Sequence, residues 1–246
     1  MAKSSVRLDK LLVDRGLVPS RERAQGLILA AKVLVDGHKL TKAGQRVPPD
    51  CTIELLEGNL PFVSRGGLKL KHAVEFFQLN LGGTTALDVG ASTGGFTDCL
   101  LQLGVQRVYA VDVGYGQLAW KLRQDPRVIV LERQNIRSMA RNLVPEPVQT
   151  VVIDVSFISL KIVIPAALPF LDTAAALVAL IKPQFEVGKG RVGKGGVVRD
   201  PQLHHDVCRT IEEFVAAQGL KVIGLTESPI LGPKGNREFL IAALKS

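Results

Sequence analysis

The chain has 246 residues, a length that fits one large domain, or a small domain followed by one of roughly 180 residues. Its 46% hydrophobic and 22% charged content is ordinary for a globular protein able to bury a core. The net charge of +8 favours a polyanionic partner, nucleic acid or an anionic membrane surface, while three widely spaced cysteines (Cys51, Cys99, Cys208) argue against a disulfide framework or a metal site and point to a reducing cytoplasm.

The N-terminus, Met1-Ala-Lys-Ser-Ser, lacks the apolar segment of a signal peptide. Residues 7–16 read as a short helix with Leu8, Leu11 and Leu12 on one face, ended by Gly16. Ser20 is placed to cap a second helix over 21–32, whose inner face is Ala24, Leu27, Ile28 and Ala31. Val33-Leu-Val reads as a strand, Asp36-Gly37 as a tight turn, and 51–56 as another strand. A helix–turn–helix with a small β-appendage is therefore expected over 1–58. Its cations Arg7, Lys10, Arg15, Arg21 and Arg23 gather on the two helices. A charge run is commonly only a solvated face. Here Arg7-Leu-Asp-Lys-Leu-Leu, Ser20-Arg-Glu-Arg-Ala with Leu27-Ile28, and Val33-Leu-Val-Asp-Gly together resemble the αL RNA-binding module of the ribosomal S-four type, over residues 6–57. That resemblance implies binding of structured RNA by shape and phosphates. The Gly- and Pro-containing stretch 59–67 reads as a linker, with Arg65 as a further RNA-binding cation.

From Lys69 onward helical and strand patterns alternate. A helix over 69–79 precedes strands expected at 85–89, 107–113, 128–132, 150–155, 176–182, 221–227 and 237–244. Such alternation predicts an α/β domain over 68–246, with a mostly parallel sheet covered on both faces. The most apolar stretch, 160–181, is broken by Pro165, Pro169, Asp172 and Thr173 and bracketed by Lys161 and Lys182, so it reads as core and not as a membrane span. Only nine residues, Ser228-Pro-Ile-Leu-Gly-Pro-Lys-Gly-Asn, separate the last two strands. That is too short for a helical crossover, so the two should pair as an antiparallel hairpin. A seventh strand turned antiparallel at the end of the sheet resembles the Rossmann-like fold of S-adenosylmethionine-dependent methyltransferases.

The first strand of this domain runs into Asp88-Val-Gly90-Ala-Ser92-Thr-Gly94-Gly95-Phe. Glycines at a strand-to-helix turn let a ligand approach the backbone. The G-x-G-x-x-G dinucleotide pattern is not met. Asp88 at the loop would repel a pyrophosphate and welcome a cationic amino group. Asp112, followed by Gly114, ends the second strand about 24 residues on, roughly where a ribose-binding carboxylate sits in such folds. Asn135 and Asp154 end later strands at the same edge. These residues are expected to hold S-adenosylmethionine. No metal is expected, since the adjacent His204 and His205 would point about 100° apart on a helix. The run Gly188-Lys-Gly-Arg-Val-Gly193-Lys194-Gly195 nearly fits a P-loop, but Gly195 stands where a Ser or Thr would hold magnesium. A basic loop closing over RNA phosphate, with Lys189, Arg191 and Lys194, is the better reading.

Polar residues at strand ends carry the chemistry. Asp154 closes an apolar strand, where burying a carboxylate costs several kcal/mol. Lys182 closes Leu177-Val-Ala-Leu-Ile, where a lysine must find partners or lose its proton. Glu238 follows Gly235-Asn-Arg, and Lys69 precedes the first strand of the domain. With their neighbours, Ser64-Arg-Gly-Gly-Leu-Lys69, the Asp88 loop, Asp154-Val-Ser-Phe-Ile-Ser, Lys182-Pro-Gln-Phe-Glu and Gly235-Asn-Arg-Glu238, they resemble the TlyA family over nearly the whole chain. These are FtsJ-like ribosomal RNA 2′-O-methyltransferases, also labelled hemolysins. The resemblance implies a tetrad of Lys69, Asp154, Lys182 and Glu238. It also implies methyl transfer to the ribose 2′-hydroxyl of cytidine, with ribosomal RNA or a ribosomal subunit as partner. A ribose hydroxyl is a poor nucleophile near pH 7, so Lys182 is expected to serve as base or as a cation stabilising the alkoxide. The Asn/Asp-Pro-Pro-aromatic run of exocyclic-amine methyltransferases is absent, and no cysteine ends a strand as ring-carbon methylation would need. A membrane-damaging hemolysin is the alternative reading, disfavoured by the lack of a signal peptide or a span. An RNA chaperone without catalysis is disfavoured by the intact tetrad.

Overall fold

A two-residue strand, β1 (Val6–Arg7), opens the computed structural model, which describes residues 5–18, 20–29, 31–55, 61–188 and 190–245. Helix α1 (Leu8–Asp14) follows and buries Leu8, Leu11 and Leu12. Ser20 caps α2 (Arg21–Leu29), its Oγ accepting the Arg23 N–H at 3.2 Å. The helix ends earlier than the expected 32. Ala31 turns left-handed at φ +55, and the Lys32 and Ala31 N–H groups bond back to Leu27 and Ile28, which is a Schellman exit. Strands β2 (Val33–Val35) and β3 (His38–Lys39) join through Asp36 and Gly37, at φ +49 and +79, the signature of a type I′ turn. Strand β4 (Arg46–Val47) pairs with β1, and β5 (Ile53–Leu55) pairs with β2. The leucine faces of both helices close over Val33, Val35, Val47 and Cys51 as one small core.

The chain divides into two units at Leu60/Pro61. Of the stretch 59–67 expected as a linker, residues 61–67 belong to the second unit, and 59 and 60 lie outside the described residues. Phe62 is buried, the Val63 N–H donates to Asp98 at 2.7 Å, and helix α3 (Gly66–Phe76) begins three residues before the expected start. The cause is apolar. Phe62 packs where a Cβ on Gly67 would stand, 2.3 Å from its ring, so Gly67 serves the packing and not a flexible tether.

The second unit continues with β6 (Thr85–Val89), α4 (Gly95–Gln102), β7 (Arg107–Asp112), α5 (Trp120–Arg123), β8 (Val128–Glu132) and β9 (Val148–Ile153). It ends with α6 (Leu160–Ala167), β10 (Leu171–Ile181), α7 (Pro183–Glu186), α8 (Pro201–Ala217), β11 (Leu220–Glu227) and β12 (Phe239–Lys245). One seven-stranded sheet has the order β11-β12-β10-β9-β6-β7-β8. Strands β10, β9, β6, β7 and β8 are parallel, and β12 runs antiparallel to both β10 and β11. The antiparallel hairpin is as expected, but β12 lies inside the sheet and not at its end. Leu240 to Ala243 are buried on both faces, so β12 needs a neighbour on each side, while β11 alternates with exposed positions and suits an edge. Successive strand residues feed two apolar layers, Leu87, Val89 and Leu177 on one face, Ala86, Val178 and Leu180 on the other. The apolar stretch 160–181 folds into α6 and β10 within this core. Among the described residues no helix is long and apolar enough to cross a membrane. Strand order reverses at β6, with β7 and β8 on one side and β9 and β10 on the other, which opens a crevice at the carboxyl ends there.

Candidate active site

The backbone ladder runs on past these strand ends. The Gly90 and Ala91 N–H groups donate to Val111 at 2.9 and 3.1 Å, and the Asp154 N–H donates to Val89 at 3.0 Å. These bonds gather Gly90, Asp112 and Asp154 around a cleft of about 460 Å³, which Ser92, Gln117, Gln134 and Asn135 also line. Gly90 stands at φ +88, and a Cβ on it would lie 2.5 Å from the Asp154 carbonyl oxygen. Only glycine fits both the conformation and the approach. The Asp112 carboxylate sits at the rim, each oxygen accepting a loop N–H at 2.7 Å, from Ser92 and from Gly114.

Asp88 departs from the expectation. It points to the other face of β6, is fully buried, and accepts the Thr97 hydroxyl at 2.6 Å. Desolvation, only partly offset by that bond, pushes its pKa up to about 7. It ties β6 to α4 and does not line the cleft. Gly94 and Gly95 likewise serve packing. A Cβ on Gly94 would meet Leu122 at 2.3 Å, and one on Gly95 would meet the Ser64 hydroxyl at 2.2 Å. Gly114 acts through its N–H on Asp112. None of these four lines the 460 Å³ cleft directly.

A second cleft of about 340 Å³ adjoins the first, and Ser156 and Phe157 line both. Lys182, Gln184, Phe185, Asn236 and Glu238 also line it, with Val192 and Gly196 as a wall. The four tetrad positions resolve into two ion pairs. Lys182, 9% exposed, places its Nζ 2.6 Å from Asp154 Oδ1 and donates to Ser156 Oγ at 3.0 Å. Lys69 on α3 and Glu238 before β12 form a buried pair at 2.5 Å across a separation of 169 residues. Gly232 leaves the room for Glu238, since a Cβ there would stand 2.0 Å from Oε1. Among the described residues, Glu238 Oε1 and Gln184 Oε1 are buried acceptors without a hydrogen-bond partner. Asn236 is buried and joins two segments, donating to Gly196 O at 3.0 Å and accepting the Val198 N–H at 3.1 Å. Phe157 is 90% exposed, left-handed at φ +65, and its ring lies 5.0 Å from that of Phe185. Ser156, Phe157 and Asn236 lie inside motifs quoted from the sequence but received no role there. The place of Ser156 and Phe157 just beyond β9, and of Asn236 just before β12, was the available signal. No cysteine lines either cleft, and burial pushes the Cys99 and Cys208 thiols up to about 12.

The expected RNA-binding cations fare differently. Asp9 is buried in α1, where Arg7 meets it at 3.0 and 2.9 Å, Arg21 at 2.9 Å and Gln25 at 3.1 Å. The Arg7 bond, with help from Gln25 and Arg21, holds its pKa well below the usual carboxylate range. Arg7 and Arg21 stay 48% and 52% exposed, so each presents a guanidinium edge while anchored. Arg15 is spent on the Cys51 and Pro49 carbonyls at 2.8 and 2.5 Å. Lys10, Arg23 and Arg65 are exposed. Arg191 lines a separate small pocket with Lys161 and Glu186. Lys194 opens a 3₁₀ turn, Lys194–Gly196, and Lys189 lies outside the described residues.

Residues 62–245 match the family of FtsJ-like methyltransferases, and residues 6–53 match the S4 domain. Over 236 residues, covering 96% of this chain and 88% of the relative, the sequence is 46% identical to the 16S/23S rRNA (cytidine-2′-O)-methyltransferase TlyA of Mycobacterium tuberculosis. It is 40% identical to Hemolysin A of Brachyspira hyodysenteriae over 236 residues, covering 96% and 98% of the two chains. A solved hemolysin-labelled structure from Streptococcus thermophilus matches with a TM-score of 0.78 and 41% identity, over 100% of this chain and 90% of that one. With the two domains in this order, the antiparallel strand inside the sheet and these relatives, the chain belongs to the TlyA family of FtsJ-like methyltransferases.

Proposed function

We propose that the chain transfers a methyl group from S-adenosylmethionine to the 2′-hydroxyl of a cytidine in ribosomal RNA, in the cytoplasm. The observation that carries this reading is the junction of the two clefts. Asp154 lines the first, Lys182 lines the second, and the two are ion-paired where Ser156 and Phe157 border both. The first cleft fits the cofactor. Its size lies within the roughly 300–1,000 Å³ of small-molecule sites. The Asp112 carboxylate suits a ribose diol, the Gln134 and Asn135 amides a purine edge, and Val111, Ile136 and Val163 an apolar ring. Once bound, S-adenosylmethionine supplies a methyl group activated on a positively charged sulfur.

The second cleft suits a ribonucleoside. Phe157 offers an exposed face for an unstacked base. Glu238 Oε1 and Gln184 Oε1 are acceptors that a hydroxyl or amino donor satisfies. Asp154 positions the Lys182 Nζ at 2.6 Å, where it can stabilise the 2′-oxygen as negative charge develops. The S4 unit adds phosphate contacts through its anchored arginines. The hemolysin label of some relatives brings no second reading, since no described helix is long and apolar enough to cross a membrane.

Calorimetry tests the cofactor. S-adenosylmethionine binds, and Asp112→Ala weakens it by roughly 10- to 100-fold, the loss of a charged hydrogen-bond acceptor worth about 1.5–3 kcal/mol. Binding of NAD in its place would sink the assignment. Truncation tests the division of labour. Removing residues 1–58 leaves a folded, cofactor-binding unit, because the larger core lies wholly beyond Pro61. RNA affinity drops, and unchanged affinity would remove the S4 unit from RNA binding.

A further inference from the structure

Beside the acceptor cleft lies a further cavity, of about 180 Å³, lined by Arg199, His204, Lys234, Gly235 and Arg237. Lys234 lines both. Nothing in the methyl-transfer chemistry above uses this cavity. We propose that it seats a backbone phosphate of the RNA strand flanking the methylated ribose. The proposal rests on the ribose-methylation reading and adds to it a subsite for the strand.

The construction argues for an anion. Arg199 arrives from the segment before α8, and Lys234 and Arg237 arrive from the loop between β11 and β12. Asn236 holds these two segments together through its bonds to Gly196 and Val198, so the cations face one space from a braced frame. His204 closes the floor. It is buried, and its Nε2–H donates to Val198 O at 2.9 Å, because a carbonyl can only accept. Three carboxylates stand near, of which Glu238 shares the adjoining cleft with Lys234 and is paired with Lys69 at 2.5 Å. Asp200 is occupied as the cap of α8, accepting the Gln202 N–H at 2.9 Å. Glu227 meets Arg237 at 3.7 Å, with side chains 49% and 58% exposed, and such a solvated pair binds weakly enough to exchange partners. No ion pair to Arg199 or Lys234 occurs among the described residues.

The chemistry of the acceptor points the same way. A ribose 2′-carbon is bonded to the 3′-carbon that carries the next phosphodiester. A ribose presenting its 2′-oxygen to Lys182 therefore carries a phosphate, through the 3′-oxygen, on the carbon next to the one that bears the reacting oxygen. Asn236 and Glu238, which precede and follow Arg237 in the chain, line the acceptor cleft, so a phosphate leaving on that side meets Arg237. Arginine forks match phosphate geometry, and an uncharged base would gain little from three cations.

The test compares the full chain with the double variants Arg199→Ala/Arg237→Ala and Arg199→Lys/Arg237→Lys. Affinity for ribosomal RNA is measured from 50 to 200 mM salt, with S-adenosylmethionine binding and single-turnover methylation beside it. Losing one phosphate contact makes the slope of log affinity against log salt shallower by about 0.7–0.9. The alanine pair shows that change with cofactor affinity intact, and the lysine pair, which keeps the charge, restores the slope. A wild-type slope in the alanine pair, with the wild-type enzyme active, overturns the phosphate subsite alone. Absence of ribosomal RNA methylation by the wild-type chain overturns the activity reading instead, whatever the slopes.

Discussion

Lys182→Ala lowers single-turnover methyl transfer to ribosomal RNA by about 10²–10⁴-fold, the range for loss of a general base or of an electrostatic stabiliser. Cofactor and RNA bind nearly as before, because the interaction lost belongs mainly to the transition state. The variant that separates the two roles is Lys182→Arg. Arginine keeps the charge but cannot accept the hydroxyl proton at neutral pH. A Lys182 that works through its charge, held between Asp154 and Ser156, leaves arginine more active than alanine. Arginine as inactive as alanine would shift the role to proton abstraction. A wild-type single-turnover rate in Lys182→Ala would remove it from catalysis and direct attention to Lys69.

Glu238→Ala lowers the melting temperature sharply. It leaves the Lys69 ammonium buried without its partner, and breaking a buried pair in this way costs about 3–5 kcal/mol. In a unit of this size each kcal/mol shifts the midpoint by about 2–4 °C, so a fall of roughly 6–20 °C is expected. Lys69→Met combined with Glu238→Leu recovers most of that stability, since an apolar pair of similar volume is often as good as a buried ion pair. It does not recover methyl transfer, because the acceptor cleft has lost the carboxylate that lines it. Scanning calorimetry and single-turnover assays on the three proteins separate folding from chemistry. A wild-type rate in the double variant would exclude both residues from the catalytic set.

Much of this was legible locally. Strand over 85–89 and strand over 128–132 match the observed β6 and β8, because a short apolar run bounded by turn residues leaves few other structures. The S4 helices followed from leucine spacing and a capping serine, both short-range signals. Residues at the carboxyl ends of strands could be named because in a parallel sheet those ends share one edge. Asp112, Asn135, Asp154 and Lys182 reach the two clefts in this way, and Glu238 reaches the same edge from the amino end of the antiparallel β12.

Partners and facing were not legible. Asp88 carries the look of a ligand-binding carboxylate, yet its parity on β6 turns it onto Thr97, and a shift of one residue in a strand exchanges the faces. Arg7 and Arg21 read as free cations until Asp9 is found buried between them. Residues 61–67 read as linker because Phe62 has nowhere to pack until α3 and α4 are placed. The sequence by itself determined the two units, the alternation of strands and helices, the glycine-rich turn and which polar residues end strands, since all of these rest on spacings of a few residues. Only the tertiary structure decided that β12 lies between β10 and β11, that the tetrad divides into Asp154–Lys182 and Lys69–Glu238, and that a cationic cavity adjoins the acceptor cleft. Those features join residues as far as 169 positions apart, and such distant groups meet only once the burial of both sheet faces has chosen one strand order.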